Sequence, residues 1–176
     1  MNPVARPASP DDAERIAQIY NEGIADRVGT FETRPRSAAD IRAWFDGSHP
    51  IVVVEHDGRV IAFASTSSYR AREAYAGIAE FSVYVERDAH GLGAGTIAMR
   101  ALVDAVKPAG VWKLVSRVFV ENTASRKLLA AIGFREVGIY EKHAKLDGRW
   151  RDVVIVERLI PENQRSPDGL PDQHTP

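Results

Sequence analysis

The segment Glu80-Phe-Ser-Val-Tyr-Val85, continued by Glu86-Arg-Asp-Ala89 and His90-Gly-Leu-Gly-Ala-Gly95, decides how the rest of this chain is read. Its first part has the alternating apolar character of a strand. Its last part places three glycines within five residues, which reads as a tight turn. From Thr96 to Lys107 the residues Ile97, Ala98, Ala101, Leu102, Ala105 and Val106 recur at helical spacing. A glycine turn that opens a helix aims several free backbone N–H groups at one point, and the helix dipole adds positive potential there. The unit can therefore cradle an anion. Glu80, at the start of the strand that feeds it, is a candidate base.

Spacing alone leaves a plainer alternative open, a connection that needs glycine only for its backbone angles. The turn is not a P-loop, because no Gly-Lys-Ser/Thr follows it. Nor is it a dinucleotide fingerprint, since Gly91, Gly93 and Gly95 are spaced by two and lie mid-chain.

The chain has 176 residues, enough for one domain with a real core. It is 44% hydrophobic and 27% charged, with a net charge of −1. That balance gives no field for nucleic acid, and no basic stripe carries interleaved aromatics. No apolar run approaches the ~20 residues of a membrane span, and the first residues lack an apolar signal core. The absence of cysteine excludes disulfides, a thiol nucleophile and thiolate metal ligands, and suits the cytoplasm. His49, His56, His90, His143 and His174 form no pair at metal-binding spacing, so no metal is expected. Ser65, Ser67 and Ser68 lack a hydrolase elbow. Trp44, Trp112 and Trp150 read as core or interface anchors.

Strands are expected at Val4–Arg6, Ile51–Glu55, Val60–Ser65, Ile78–Val85, Trp112–Val120, Phe134–Tyr140 and Arg151–Leu159. Asp57-Gly58 marks a hairpin turn. Ser9 caps a first helix that turns Ala13, Ile16, Ile19 and Tyr20 inward. Residues 30–36 form a loop. Ser37 caps a second helix holding Ile41, Trp44 and Phe45. A last helix runs from Asn122 to Ile132 and ends at Gly133. This mixed order argues for an α+β domain, with a parallel strand pair around the central helix. Residues 1–160 form one domain. The tail 161–176, rich in Pro, Asp, Gln and Ser, reads as disordered.

Asp88-Ala-His-Gly-Leu-Gly-Ala-Gly95 resembles the Arg/Gln-x-x-Gly-x-Gly/Ala loop of the GNAT superfamily of acyl-CoA N-acetyltransferases, with His90 where that family carries Arg or Gln. Glu121-Asn-Thr-Ala-Ser-Arg-Lys-Leu-Leu-Ala-Ala-Ile-Gly-Phe134 resembles the family's second signature. Ile19-Tyr-Asn21, Thr30-Phe-Glu-Thr-Arg-Pro35, Tyr69-Arg-Ala-Arg72 and Gly148-Arg-Trp-Arg-Asp-Val153 stand in the order of its phosphinothricin and arsinothricin acetyltransferase group. The resemblance covers roughly residues 4–160. It implies a mixed, mostly antiparallel sheet of about seven strands with about four helices, its central strands splayed beside the glycine loop. It implies acetyl-CoA as cosubstrate, with the pyrophosphate on the loop His90, Gly91, Leu92, Gly93, Ala94, Gly95 and Thr96. The pantetheine would lie along Val83, Tyr84 and Val85, with Asn122 and Ser125 beside it. A homodimer with Arg149, Trp150 and Arg151 near the contact is implied as well.

The acceptor implied is a glutamate-like amino acid: phosphinothricin, methionine sulfoximine or arsinothricin. Its α-ammonium must lose a proton before it can attack, and Glu80 aligns with the family's glutamate. Ile78, Phe81 and Val83 flank it, and burial among them would help it accept a proton. The bland alternative is an ordinary salt bridge with Arg70 or Arg72. Those two flank Ala71, so an extended backbone sends both to one face, where guanidinium groups suit a dianionic substrate. Arg70 aligns with the family's substrate-binding arginine. Glu73 stands near as a partner for the ammonium or for Arg72. Phe31, Thr33 and Ser82 complete the expected acceptor pocket. Where many relatives place a Tyr or His to protonate the leaving thiolate, this chain has Leu129, so the general acid is unassigned. Tyr140, Lys142 and His143 are substitutes, although Tyr140 reads first as sheet core. Two alternatives stand beside this reading: acetylation of another small amine or a protein N-terminus, and a non-catalytic acyl-CoA sensor with the same fold. The arginine pair argues against a polyamine.

Overall fold

The Asp57-Gly58 turn closes a β-hairpin with both residues at positive φ, 49° and 75°, as a two-residue hairpin loop requires. That hairpin supplies the second and third strands of a seven-stranded sheet in the computed structural model, which describes residues 2–165. His174 and most of the expected tail lie outside the described residues.

The strands are β1 (Val4–Pro7), β2 (Ile51–His56), β3 (Arg59–Ser68), β4 (Ile78–Val85), β5 (Lys113–Phe119), β6 (Arg135–Leu146) and β7 (Arg149–Leu159). The helices are α1 (Ala13–Asp26), α2 (Ala38–Arg42), α3 (Ala94–Ala105) and α4 (Thr123–Ala131). Sheet order is β1-β2-β3-β4-β5-β7-β6. Every neighbouring pair is antiparallel except β4–β5.

Alternation sends successive residues of the central strands to opposite faces. One face carries Ala62, Ala64, Phe81 and Leu114 into a core closed by Ala98, Met99 and Leu102 of α3 and Leu129 of α4. The other carries Val53 and Phe63 against Ile16, Ile19 and Tyr20 of α1 and Ile41 of α2. Glu80, Ser82 and Tyr84 point to this second face. Ser9 and Asp12 form a capping box around a 3₁₀ turn that leads into α1.

The parallel pair is short. Only Ile78↔Lys113, Ala79↔Leu114 and Glu80↔Val115 are in register, after which β4 and β5 part. The closed end of this V is fixed by a glycine. Trp112 N donates to Gly77 O at 2.7 Å, and a Cβ at Gly77 would stand 1.9 Å from Trp112 Cε3. The splay implied by the resemblance is thus present, and it begins at the candidate base.

Several boundaries differ from expectation. Helix α3 starts at Ala94, so Gly95 is a helical residue packed against the last helix, where an added Cβ would lie 2.8 Å from Leu128 Cδ1. Helix α2 stops at Arg42, yet Trp44 and Phe45 still pack on the second core from the turn beyond it. Strand β6 continues past Tyr140 to Leu146 through an irregularity in which Lys142 takes φ 48°. Residues 161–165 of the expected tail are described. Pro161–Asn163 is a 3₁₀ turn, held because Asn163 Nδ2 donates to Lys107 O and Val111 O, both at 2.8 Å.

Candidate active site

Where β4 and β5 part, a cleft of about 670 Å³ opens. Ser82, Val83 and Tyr84 form one wall, and Ser116, Arg117 and Phe119 the other. Beyond Glu80↔Val115 neither strand has the other as a ladder partner, so backbone polar groups face the gap. The loop after α1 covers one end. Asn21 holds it at both polar atoms, through Arg36 N and Arg36 O at 2.8 and 2.9 Å. Tyr84 Oη donates to Gly29 O at 3.3 Å. Burial pushes the Tyr84 phenol well above its usual range, so it stays neutral. Phe31 packs edge-on against Phe119, centroids 4.9 Å apart, and lines the cleft. It is pocket wall and core anchor together.

Glu80 sits at the fork. Its side chain is 34% exposed, and Arg117 Nη2 donates to its Oε1 at 2.6 Å. The expected partners Arg70 and Arg72 are not the ones that hold it. A second cleft of about 290 Å³ adjoins the first. It gathers Tyr69, Arg70, Lys113, Arg117, Tyr140 and His143 around Glu80.

The glycine turn lies at the far end of β4. Gly91 and Gly93 take φ of 88° and 75°, and no atom stands within 4 Å of where a Cβ would project. Ile97 N donates to Gly93 O at 3.1 Å, closing the first helical bond. The amides of Ala94, Gly95 and Thr96 precede it and have no acceptor within the helix. These donors and the dipole of a twelve-residue helix fit a pyrophosphate. His90 Nε2 lies 3.2 Å from Val85 O, against the strand it follows.

The loop is anchored by Glu86, a buried carboxylate paired with Arg15 of α1 and with Arg59. The Arg59 hydrogen bond, aided by Arg15, holds the Glu86 carboxyl below its usual range despite burial. A depressed carboxyl contributes stability that is complete above its unfolded value of ~4.3 and is lost as pH falls through the folded one. Glu86→Gln is therefore expected to lower stability at pH 7 by about 1–3 kcal/mol. The difference from the parent should shrink as pH drops below ~4. Urea titrations at both pH values check this; a gap that stays constant would show that the charge is not what matters.

The sequence profile of the Acetyltransferase (GNAT) family matches residues 16–134. This chain belongs to the GNAT family. It is 31% identical over 162 residues to a phosphinothricin N-acetyltransferase of Streptomyces coelicolor, covering 88% of this chain and 95% of that one. It is 28% identical over 172 residues to an L-methionine sulfoximine/L-methionine sulfone acetyltransferase of Pseudomonas aeruginosa, covering 95% and 100%. A phosphinothricin acetyltransferase from Sinorhizobium meliloti, solved with acetyl-CoA, superposes with a TM-score of 0.86 at 28% identity, covering 99% and 95%. The protein is thus an acetyl-CoA-dependent acyltransferase, and the sensor alternative gives way.

Within this GNAT site, Glu80, Ser82, Val83, Tyr84, Phe31, Asn122 and Ser125 all line the first cleft. Val85 lies outside that lining and packs against Gly95. Asn122 is also the cap of α4: its Oδ1 accepts from Ser125 N and its Nδ2 donates to Val28 O, both at 3.2 Å. Leu129 lines the cleft and offers no proton. Arg70 reaches the second cleft. Thr33, Arg72 and Glu73 are exposed and line neither cleft. Strand β3 ends at Ser68 and the chain bends at Ala71 and Arg72 before the 3₁₀ turn at Glu73–Tyr75, so no extended run keeps Arg72 beside Arg70. Tyr140 is not sheet core: it is 53% exposed and lies 5.0 Å from the His143 ring. Sequence reasoning missed Arg117 and Lys113. The available signal for Arg117 was a lone charge in the apolar strand Leu114–Phe119. Among the described residues no group of three or more His, Asp or Glu is placed to hold a metal ion, and no helix is long and apolar enough to cross a membrane.

Proposed function

We propose that this enzyme, one domain through residue 160, acetylates the α-amino group of a glutamate-analogue amino acid such as phosphinothricin, methionine sulfoximine or arsinothricin. It would confer resistance to such compounds in the cytoplasm. The observation that carries this reading is the second cleft, where Arg70 and Arg117 flank the Glu80 carboxylate. Lys113, the third cation there, is already paired with Glu157 at 3.0 Å. Arg70 has no carboxylate partner among the described residues and lies over the Tyr69 ring, 5.2 Å from its centroid. Arg70, with Arg117 once it leaves Glu80, offers two guanidinium groups that suit an α-carboxylate plus a second oxyanion. The names of the relatives support phosphinothricin and methionine sulfoximine.

Bound acetyl-CoA supplies the acetyl thioester. The amides of residues 91–96 hold its pyrophosphate, and the unpaired edges of β4 and β5 take the pantetheine amides. Glu80 accepts one proton from the α-ammonium, leaving a lone pair to attack the carbonyl carbon. As the C–N bond forms and the C–S bond breaks, a second proton leaves the nitrogen and ends on the departing thiolate. Glu80 returns its own proton to water. Transfer is direct, with no acyl-enzyme. A thiol-release assay across phosphinothricin, methionine sulfoximine, arsinothricin, glutamate and spermidine tests the reading. Preference for spermidine or a peptide amine would overturn it.

The chain pairs with a second copy. Strand β6 ends the sheet and is exposed along most of its length. It carries Val137, Ile139 and Tyr140, with Trp150 of β7 55% exposed beside them. An apolar edge of this kind is usually covered. Arg151 is not free for the contact, because it lies over Phe119 and reaches Glu121 at 3.6 Å. Light scattering at micromolar concentration should give twice the 19.4 kDa chain mass. Trp150→Glu should reduce it to one chain; a monomeric parent protein would refute the pairing.

A further inference from the structure

The two clefts share three lining residues, Glu80, Ser116 and Arg117. Glu80 stands opposite Val115 in the last parallel pair. Two residues further on, Arg117 points to the same face as Val115 and reaches back across the widening gap to Glu80. Glu80 is the only carboxylate in salt-bridge contact with Arg117 among the described residues. The Arg117 side chain is 47% exposed, so packing does not hold it there.

The proposed base is therefore occupied: its Oε1 already accepts from the Arg117 guanidinium. While the pair holds, an ammonium cannot take the guanidinium's place at Oε1. A substrate carboxylate can break it, because it offers the guanidinium an equivalent bidentate partner. In an α-amino acid the carboxylate and the ammonium share one carbon. A carboxylate that captures Arg117 thus brings the ammonium next to the vacated Glu80 Oε1. One ion pair becomes two, with no net charge moved.

We propose that Arg117 is a specificity-determining residue that keeps Glu80 from acting as a base until the α-carboxylate of the acceptor has taken its guanidinium. The proposal rests on the reading of Glu80 as the base. The ammonium N–H bond then breaks toward Glu80 Oε1, and the nitrogen keeps the electron pair for the thioester carbonyl. Selection for α-amino acids is thereby exerted on turnover, and not only on binding. A plain amine can enter the cleft and still find the base occupied.

The test compares methionine sulfoximine with its α-carboxamide in the parent protein, Arg117→Gln, Arg117→Lys and Glu80→Gln. The parent should turn over the acid about 10²-fold faster than the amide at saturation, the low end of lost general-base catalysis. In Arg117→Gln the amide should gain kcat while the acid loses kcat/KM, so the ratio of the two collapses toward one. Arg117→Lys should restore much of the ratio. A merely structural Arg117 would lower both rates together and leave the ratio intact, which would overturn the proposal. Equal kcat for acid and amide in the parent would overturn it too. Full turnover by Glu80→Gln would instead remove the base reading on which it rests, so the two failures are told apart.

Discussion

Glu80→Gln is expected to bind acetyl-CoA as the parent does and to lose turnover by ~10² or more, the usual scale for a general base. The separation of effects follows from where the residue sits. Glu80 belongs to the closed end of the V between β4 and β5, whereas the pyrophosphate cradle lies past the open end of β4. Gln keeps the shape and can still accept from Arg117, so the fork should hold. It cannot take the ammonium proton. The acidic limb of the pH–rate profile should vanish with the carboxylate. Calorimetry with acetyl-CoA and a pH–rate series on the same preparation check both halves. An unchanged profile with full turnover would make Glu80 a structural partner of Arg117 and nothing more.

The cradle was legible in the chain because its physics is local. Gly91 and Gly93 need positive φ, and the helix that follows has a plain period, so a few adjacent residues specify an anion site. Strand β4 was read to its ends for the same reason. The fork was legible only through resemblance. Three register pairs followed by divergence depend on the fit of Trp112 over Gly77, 35 residues apart in a contact that no periodicity announces. The partner of Glu80 was missed because β4 and β5 are joined through α3, and a parallel register cannot be counted off along the chain as a hairpin register can. Arg72 was placed wrongly for a converse reason. Local alternation was extended through Tyr69–Glu73, whereas β3 ends at Ser68 and the chain bends at Ala71 and Arg72 before the 3₁₀ turn at Glu73–Tyr75.

That last difference yields a sharp expectation for the acceptor. Arg70→Ala should raise the acceptor KM strongly and leave that of acetyl-CoA nearly unchanged. Arg72→Ala should leave both close to the parent values. Arg70 lines the second cleft, is offered no carboxylate by the described residues, and is braced by the Tyr69 ring. Arg72, three residues along from that ring, lines neither cleft. Removing one cation from a charge-assisted pair with a desolvated anion costs on the order of 2–5 kcal/mol, because the anion stays in place without its partner. That corresponds to a rise of roughly 30-fold to several thousand-fold in KM. Arg70 is itself exposed, so the low end of this range applies unless the bound acceptor closes the cleft over it. The tetrahedral γ-oxyanion of phosphinothricin or arsinothricin should suffer more than the planar γ-carboxylate of glutamate, which is expected to be a poor substrate from the outset. Steady-state kinetics with both substrates varied separates the cases. A loss in Arg72→Ala equal to that in Arg70→Ala would mean that the bend at Ala71–Arg72 straightens when the acceptor binds, bringing the second guanidinium back to the face where alternation alone had put it.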